Sequence, residues 1–301
     1  MRMSRKNVEN RHSETALFAA LCRAVAARVY GCQKYSSDSL AANFLPAHIR
    51  FFIRFESIRQ RFIKKNVEMT PGAFEYVLAR TTFFDHLFED STKNAVSQIV
   101  LLGAGYDSRS YRFPEVVRTS KIFELDITTT QERKIKCIKK SGIDVPSNVT
   151  MLPINFNKDD IVTVLKDGGF DPEEKTLFLW EGVTMYLDPE AVATTFASLA
   201  RNVRAGSLIA FDYVLNIPEA DMGDYYGVAK FMETWKKHRK EEPFRFTSSE
   251  EDMVPLLTEH GLSLACHLND KEIHDTYLSE NMGRITAQFR FTVASIGANN
   301  N

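Results

Sequence analysis

The sequence predicts an α/β protein: a doubly wound, mostly parallel sheet of seven strands with an N-terminal helical cap and a lid insertion. Two observations lead to this prediction. From residue 97, short apolar runs rich in β-branched and aromatic residues alternate with helix-length stretches, as in parallel sheets covered by helices on both faces. The residues before 97 carry apolar groups at helical spacing instead.

The composition of the 301 residues, 44% hydrophobic and 26% charged, excludes disordered and fibrous classes. The formal net charge of −1 predicts a small-molecule acceptor and no nucleic-acid or membrane partner, and it leaves a homodimer open. The four cysteines show neither zinc-ligand spacing nor disulfide density, and the N-terminus lacks the apolar core of a secretory signal. We therefore expect a cytoplasmic protein without a metal site.

Three helices are predicted in the cap, which we assign to residues 1–96 of the same domain as the sheet. Ser13 can cap a helix that runs through Tyr30, and residues 48–66 repeat apolar groups at helical spacing. A third helix is expected to begin at Thr70-Pro71 and to end near Phe88.

The sheet is assigned to residues 97–297. Its predicted strands are SQIVLLG, KIFELD, VTMLPIN, TLFLWEG, SLIAFDYV, LSLACHL and ITAQFRFTVASI. Helix-length crossovers between the first strands indicate parallel pairing. The last two strands are separated by about sixteen residues without strong helical periodicity, which favours an antiparallel pair at the edge. Residues 215–245 break the rhythm with several aromatic side chains, and we expect them to form a lid over the acceptor.

The turn after the first strand, in QIVLLGAGYDSR, contains Gly103, Ala104 and Gly105. Glycine at this position lets a ligand approach the sheet edge, although a tight strand-to-helix turn alone would also explain it. A dinucleotide fold would have a third glycine at position 108, where this chain has Ser108.

Carboxylates end the second and fourth predicted strands. Glu124 and Asp126 in FELD are placed to accept the hydroxyls of a ribose, or alternatively to cap a helix. Glu181 follows an apolar run, so it needs either a cationic ligand or a hydrogen-bond network. Tyr186, five residues later, belongs either to the core or to an acceptor pocket.

The segment HIRFFIRFESIRQRFIKK is basic and amphipathic, which can indicate a membrane surface. In a chain with balanced charge we prefer the alternative, in which this helix packs its Phe stripe on the sheet domain.

Taken together, LARTTFFDHLF, LLGAGYDSRSYRF, FELD and GFDPEEKTLFLWEGVTMYL resemble the leucine carboxyl methyltransferase family and its bacterial O-methyltransferase relatives, from about Ser13 to Tyr213. The resemblance implies a Rossmann-like methyltransferase fold that binds S-adenosyl-L-methionine. It implies that Arg80 holds the methionine carboxylate, Gly103 lies beneath the cofactor, Asp126 binds the ribose and Glu181 lies on the methionine side. The adenine would lie near Asn155 and Phe156, where relatives usually have Asp-Leu.

The resemblance further implies O-methyl transfer to a carboxylate or hydroxyl of a small molecule. We find no convincing base in the sequence, which favours a carboxylate, since that group is already ionised at neutral pH. Arg109 or Arg112 could orient this anion, or could be structural ion-pair partners, and Tyr186 is a further acceptor-side candidate. Two alternatives stay open: methylation of a protein's C-terminal carboxylate, and a regulatory protein that binds the cofactor without turnover.

Overall fold

The computed structural model describes residues 13–30, 38–238, 242–278 and 282–297. Within them the strands form one sheet in the order β3-β2-β1-β4-β5-β8-β7, with β6 paired to β5 beside this path. The strands are β1 Gln98–Leu102, β2 Lys121–Asp126, β3 Val149–Pro153, β4 Thr176–Trp180, β5 Leu208–Leu215, β6 Thr247–Ser248, β7 Leu262–Leu268 and β8 Phe289–Ile296.

This architecture confirms the predicted fold class. The pairings β3-β2, β2-β1, β1-β4 and β4-β5 are all parallel. The predicted antiparallel pair at the edge is present, because β7 is the edge strand and pairs antiparallel with β8. Strand β8 itself lies one strand in from the edge, where it also pairs antiparallel with β5. One detail differs from the prediction. The two-residue strand β6 is an eighth strand, too short to produce an apolar pattern in the sequence.

Helices cover both faces of the sheet. They are α1 Glu14–Val29, α2 Ala47–Phe52, α3 Glu56–Met69, α4 Ala73–Asp90, α5 Arg109–Arg112, α6 Pro114–Thr119, α7 Thr128–Ser141, α8 Ile161–Asp167, α9 Pro189–Asn202, α10 Val228–His238, α11 Glu250–Glu259 and α12 Asp270–Tyr277. Successive residues of β1 are buried on opposite faces: Ile99 packs in the core formed with α1 and α4, and Val100 in the core formed with α8 and α9.

The first predicted helix is confirmed, since Ser13 accepts a hydrogen bond from the Ala16 amide at 3.1 Å and α1 ends at Val29. The third begins two residues later than expected, after Gly72. A Cβ atom on Gly72 would lie 2.2 Å from the Thr286 backbone nitrogen, so this close approach fixes the start of α4.

The expectation for residues 48–66 is wrong in two respects. The segment forms two helices, α2 and α3, rather than one. Its Phe stripe does not pack fully on the domain, because Phe51, Phe52 and Phe55 are about half exposed, at 52%, 51% and 50%. Helical periodicity groups apolar residues on one face but does not show what covers that face.

The link between β7 and β8 contains α12, which the sequence analysis missed. The signal was a capping box, because Asn269 accepts from the Glu272 amide at 3.0 Å and the Glu272 carboxylate accepts from the Asn269 amide at 2.9 Å. Cys22, Cys137 and Cys266 are free thiols, and Cys32 lies outside the described residues. In the part of the chain that the structure describes, every helix is too short or too polar to cross a membrane.

Candidate active site

A cavity of about 400 Å³ opens at the carboxyl ends of β1, β2 and β4 and is bounded by α1, α4 and residues near α10. Its position agrees with the rule that open α/β sheets bind ligands beyond the carboxyl ends of their strands. The predicted site residues that line it are Arg80, Gly103, Ala104, Gly105, Arg109, Asp126, Asn155, Phe156, Glu181 and Tyr186. The fold therefore brings together predicted residues from distant segments of the sequence.

The glycine turn after β1 forms the floor of the cavity. Gly103 and Gly105 have φ angles of 70° and 44°, which L side chains rarely adopt. A Cβ atom on Gly103 would lie 2.4 Å from Cγ2 of Val183, so the turn is also packed tightly against the segment after β4.

Asp126, at the end of β2, holds this turn in place. Its Oδ2 accepts from the Gly105 amide at 2.6 Å, and its Oδ1 accepts from the Ile127 amide at 2.7 Å. Burial raises the pKa of Asp126 to about 6, against the lowering effect of these hydrogen bonds. The carboxylate lines the cavity.

Glu124 is not among the residues lining the cavity. It is 1% exposed and forms a buried ion pair with Lys134 at 2.7 Å, and it accepts from the Ser110 hydroxyl at 2.6 Å. The paired carboxylates of FELD thus take different positions, and Asp126 alone of the two reaches the cavity.

Asn155 and Phe156 line the cavity beyond the end of β3. The Phe156 ring packs against Trp180 of β4, with ring centroids 5.9 Å apart. The Asn155 backbone amide donates to Asp159 Oδ2 at 2.7 Å. The loop after β3 is therefore held by a hydrogen bond between two of its own residues.

Arg80 and Glu181 both line the cavity and form an ion pair with each other. Arg80 Nε donates to Glu181 Oε1 at 3.0 Å, and Arg109 Nη1 donates to Glu181 Oε2 at 2.7 Å. Although burial raises the pKa of Glu181, the guanidiniums of Arg109 and Arg80 outweigh this and lower it. Arg80 Nη2 donates to none of the described residues, so its N–H groups are available to donate to a ligand.

Arg109 is an ion-pair partner in the protein interior. It is 2% exposed and lies 2.5 Å from Asp85 and from Asp107, besides its contact with Glu181. Arg112 binds both oxygens of Asp85, at 2.9 Å and 3.0 Å. Of the two alternatives left open by the sequence, these contacts favour the structural one for both arginines.

Two residues that the sequence did not predict contact Arg80 at this end of the cavity: Tyr76 lines the cavity, and Asp212 lies outside its lining. Asp212 on β5 is fully buried, lies 3.4 Å from Arg80 Nη1 and accepts from the Gly182 amide at 2.6 Å. The Tyr76 hydroxyl donates to Asp212 and accepts from Arg80 Nη1 at 3.1 Å. The signal for Asp212 was available, since a carboxylate inside the apolar run SLIAFDYV requires a partner.

These contacts form one continuous chain of ion pairs, which we call the charge network. It contains four guanidiniums and five carboxylates, so its formal charge is −1. Its members are Arg23, Asp38, Arg112, Asp85, Arg109, Asp107, Glu181, Arg80 and Asp212.

The other end of the cavity is aromatic. Trp235 and Phe244 stack with ring centroids 4.7 Å apart, and Tyr186 lies 6.3 Å from Trp235 and 5.9 Å from Phe244. Burial raises the pKa of Tyr186 well above its usual value, so its hydroxyl stays protonated. All three rings line the cavity.

Glu242 also lines this aromatic end. Its Oε2 is buried and has no hydrogen-bond partner among the residues that the structure describes, while its Oε1 accepts from the Ser13 hydroxyl at 3.4 Å. The sequence analysis did not single out Glu242, because it lies in a polar stretch with no motif around it. Among the described residues, no cluster of His, Cys, Asp and Glu could hold a metal ion.

Known structures place this fold among the methyltransferases. A structure described as a putative methyltransferase from Thermobifida fusca superposes with a TM-score of 0.59 at 12% identity, covering 81% of this chain and 90% of that one. A DUF574 family protein from Streptomyces avermitilis gives a TM-score of 0.59 at 11% identity, covering 79% and 90%. These similarities concern the fold.

Residues 16–200 match the model of the leucine carboxyl methyltransferase family, and the chain belongs to that family. The "Putative S-adenosyl-L-methionine-dependent methyltransferase YktD" of Bacillus subtilis is 28% identical over 212 residues, 70% of this chain and 68% of its own length. A protein of the same description from Mycolicibacterium smegmatis is 30% identical over 197 residues, 64% of each chain. These relatives confirm the resemblance and the cofactor predicted from the sequence.

Proposed function

We propose that this chain transfers the methyl group of S-adenosyl-L-methionine to an oxygen of a small-molecule acceptor in the cytoplasm. The observation that carries the proposal is that one cavity joins the charge network, at the ends of β4 and β5, to an aromatic wall formed by Tyr186, Trp235 and Phe244. The charged end suits the donor and the aromatic end suits the acceptor.

The charged end has the chemistry that S-adenosyl-L-methionine requires. The free Nη2 of Arg80 suits the methionine carboxylate, and Glu181 suits the ammonium group. Asp126 suits the ribose hydroxyls, and Asn155 and Phe156 suit the adenine. The charge network has one carboxylate in excess, and S-adenosyl-L-methionine carries one net positive charge, so the bound ligand would neutralise a buried charge.

When bound, S-adenosyl-L-methionine supplies a methyl group on a positively charged sulfur, and its transfer is an in-line displacement. The protein's contribution is alignment and exclusion of water. The aromatic wall would contribute to both, because its rings pack against one another and line the cavity. This geometry supports a planar, apolar acceptor.

Glu242 favours a hydroxyl over a carboxylate as the reacting group. A carboxylate acceptor would be repelled by Glu242, whereas a hydroxyl can donate to its unpartnered Oε2. Glu242 Oε2 would accept the hydroxyl proton as the acceptor oxygen is methylated, and S-adenosyl-L-methionine would supply the methyl group. A base of this kind typically contributes about 10²–10⁴-fold to the rate.

The experiment is transfer from methyl-labelled S-adenosyl-L-methionine to matched aromatic phenols, aromatic carboxylic acids and a peptide with a free C-terminal carboxylate. We expect base-stable ethers from the phenols. Base-labile esters from the aromatic acids alone would contradict the hydroxyl assignment, and ester formation on the peptide alone would favour the protein carboxyl methyltransferase. Tight cofactor binding without transfer to any acceptor would favour the regulatory protein.

Glu242→Gln tests the base directly. We expect kcat for a phenol to fall by about 10²-fold or more while cofactor affinity stays unchanged. Glu219→Gln is the matched control, because Glu219 is 85% exposed and pairs only loosely with Lys236, at 3.7 Å. Equal turnover by Glu242→Gln and the wild type would remove Glu242 from the reaction.

A further inference from the structure

An aromatic patch projects from the junction of α2 and α3. Phe51, Phe52 and Phe55 are each about half exposed, and their rings contact one another with centroids 5.7 Å and 5.5 Å apart. Ile58, one turn further along α3, is 38% exposed. Single exposed apolar residues are ordinary, but a contiguous group of this kind marks an interaction surface.

The structure holds this patch in a fixed position. Ile53, between the aromatic residues, is 3% exposed and anchors the junction in the core. Arg59 Nη1 donates to the carbonyl oxygens of Ile53 at 3.0 Å and Arg54 at 2.8 Å, which ties the turn to α3. The rings therefore project from an ordered turn rather than a frayed end.

The surroundings of the patch are strongly basic. Residues 47–66 contain six Lys or Arg side chains and a single carboxylate, Glu56, in a chain whose formal net charge is −1. Burial lowers the pKa of Arg28, and the nearby guanidiniums of Arg59 and Arg54 lower it further, so these three cations lie together. The net charge of the whole chain, −1, does not reveal this local positive charge.

Cations of α7 also lie near Arg50. Burial raises the pKa of the Cys137 thiol, and Arg133, Lys140 and Arg50 oppose that shift. Arg50 of α2 and the two cations of α7 therefore all lie close enough to the Cys137 sulfur to affect its pKa.

We propose that the Phe51, Phe52 and Phe55 patch docks on an anionic lipid bilayer. The rings would enter the interface between headgroups and acyl chains, and the surrounding Arg and Lys side chains would bind lipid phosphates and carboxylates. The protein would lie on the surface of the bilayer, in agreement with the absence of a spanning helix among the described residues. The sequence predicts no membrane partner from the net charge of −1, and it predicts inward packing of this Phe stripe. The exposures of Phe51, Phe52 and Phe55 contradict the inward packing.

An anionic bilayer fits better than a nucleic acid or a second copy of the chain. The patch combines contiguous exposed apolar rings with neighbouring cations, which is the arrangement of interfacial helices. Binding to a nucleic acid rests on cations that contact its phosphates and does not require an exposed apolar group. A second copy would place the same cations against each other across a two-fold axis, and like charges in that position repel.

The experiment is flotation of the full chain with vesicles of phosphatidylcholine alone and of phosphatidylcholine mixed with phosphatidylserine. We expect binding to the anionic vesicles only, and weaker binding at high salt. Phe51→Ser with Phe55→Ser should reduce binding by about ten-fold or more. Arg50→Gln with Arg54→Gln should reduce it by about 25-fold, since each cation contributes about five-fold near an anionic surface.

Matched controls are Val145→Ser with Val254→Ser, two exposed apolar residues elsewhere, and Lys93→Gln with Arg118→Gln, two exposed cations. All variants should keep the wild-type affinity for S-adenosyl-L-methionine, which shows that they are folded. The proposal is overturned if the wild type binds no vesicle, if the Phe variant binds as well as the wild type, or if the patch variants abolish a dimer instead. Retention of single-stranded RNA by the wild type and not by the Arg variant, without vesicle binding, would overturn it as well.

Discussion

A Cβ atom on Gly182 would lie 2.7 Å from Nη1 of Arg80. The missing side chain at position 182 therefore makes room for the guanidinium that contacts Glu181, Asp212 and the Tyr76 hydroxyl. Gly182 also has a φ angle of 68°, which allows its amide to donate to Asp212. Gly182 therefore leaves space for the Arg80 guanidinium and also allows the backbone conformation of the turn after β4.

Gly182→Ala should displace Arg80 and weaken S-adenosyl-L-methionine binding by about ten-fold or more, because a shift of about 1 Å in a positioning group is costly. Calorimetric titration measures the affinity. Gly206→Ala is the matched control, since Gly206 has a φ angle of 82° and no atom within 4 Å of its missing Cβ. It should lose about 1–2 kcal/mol of unfolding free energy from backbone strain and keep full affinity. Equal affinities in the two variants would contradict the role of Arg80.

Cofactor affinity should fall as the pH falls through the pKa of Asp126, which burial raises to about 6. Only the ionised carboxylate can accept from both ribose hydroxyls and the Gly105 amide, so protonation removes acceptors. At pH 5, one unit below this pKa, affinity should be about ten-fold weaker than at pH 7. Asp126→Asn should be weaker at pH 7 and should flatten the profile, whereas Asp160→Asn, at an exposed helix cap that also accepts a backbone amide, should retain it. A profile that persists in Asp126→Asn would assign the titration to another group.

Arg109→Lys should destabilise the fold strongly. A lysine ammonium cannot reach Asp85, Asp107 and Glu181 together, and breaking a buried ion pair costs about 3–5 kcal/mol. Arg118→Lys, at a surface pair in which both side chains are more than half exposed, should change stability by less than about 0.5 kcal/mol. Denaturant unfolding measures both. If Arg109 mainly oriented the acceptor, the variant would lose turnover while keeping its stability.

Tyr76→Phe removes a buried hydroxyl from Asp212 and Arg80 and keeps the ring stacked on Phe289 at 3.8 Å. We expect a loss of about 1–3 kcal/mol in unfolding free energy, together with weaker cofactor binding. Tyr213→Phe loses a hydroxyl contact with His267 at 2.9 Å, away from the cavity, and should lower stability without changing affinity. Unchanged cofactor binding in both variants would separate Tyr76 from the site.

Local patterns predicted the strands and the residues at their ends. KIFELD and LSLACHL coincide with β2 and β7, because strand boundaries here fall at turns and polar residues. Gly103, Asp126 and Glu181 lie at the cavity because parallel strands bring their carboxyl ends to one edge. This reasoning needs only the order of the strands.

Partners across the fold could not be predicted in the same way. The contact between Arg80 and Asp212 joins residues 132 positions apart, and no periodicity encodes that distance. Glu124 shows the reverse case, since its spacing matched that of a ribose ligand while its side chain is bound by Lys134. The exposed rings of Phe51 and Phe55 belong to the same category, because periodicity does not show whether a face is covered.

The charge network has a consequence for how the molecule opens. Because Arg80 and Asp85 belong to α4 while Glu181 and Asp212 follow or belong to central strands, separating α4 from the sheet would strip several buried ions of their partners at once. We therefore expect local opening of α4 to cost about as much free energy as global unfolding, so that its amides exchange with deuterium at the rate of those in β4. Ligand binding would then slow amide exchange in both α4 and β4. The two elements would respond to the bound ligand as a single cooperative unit.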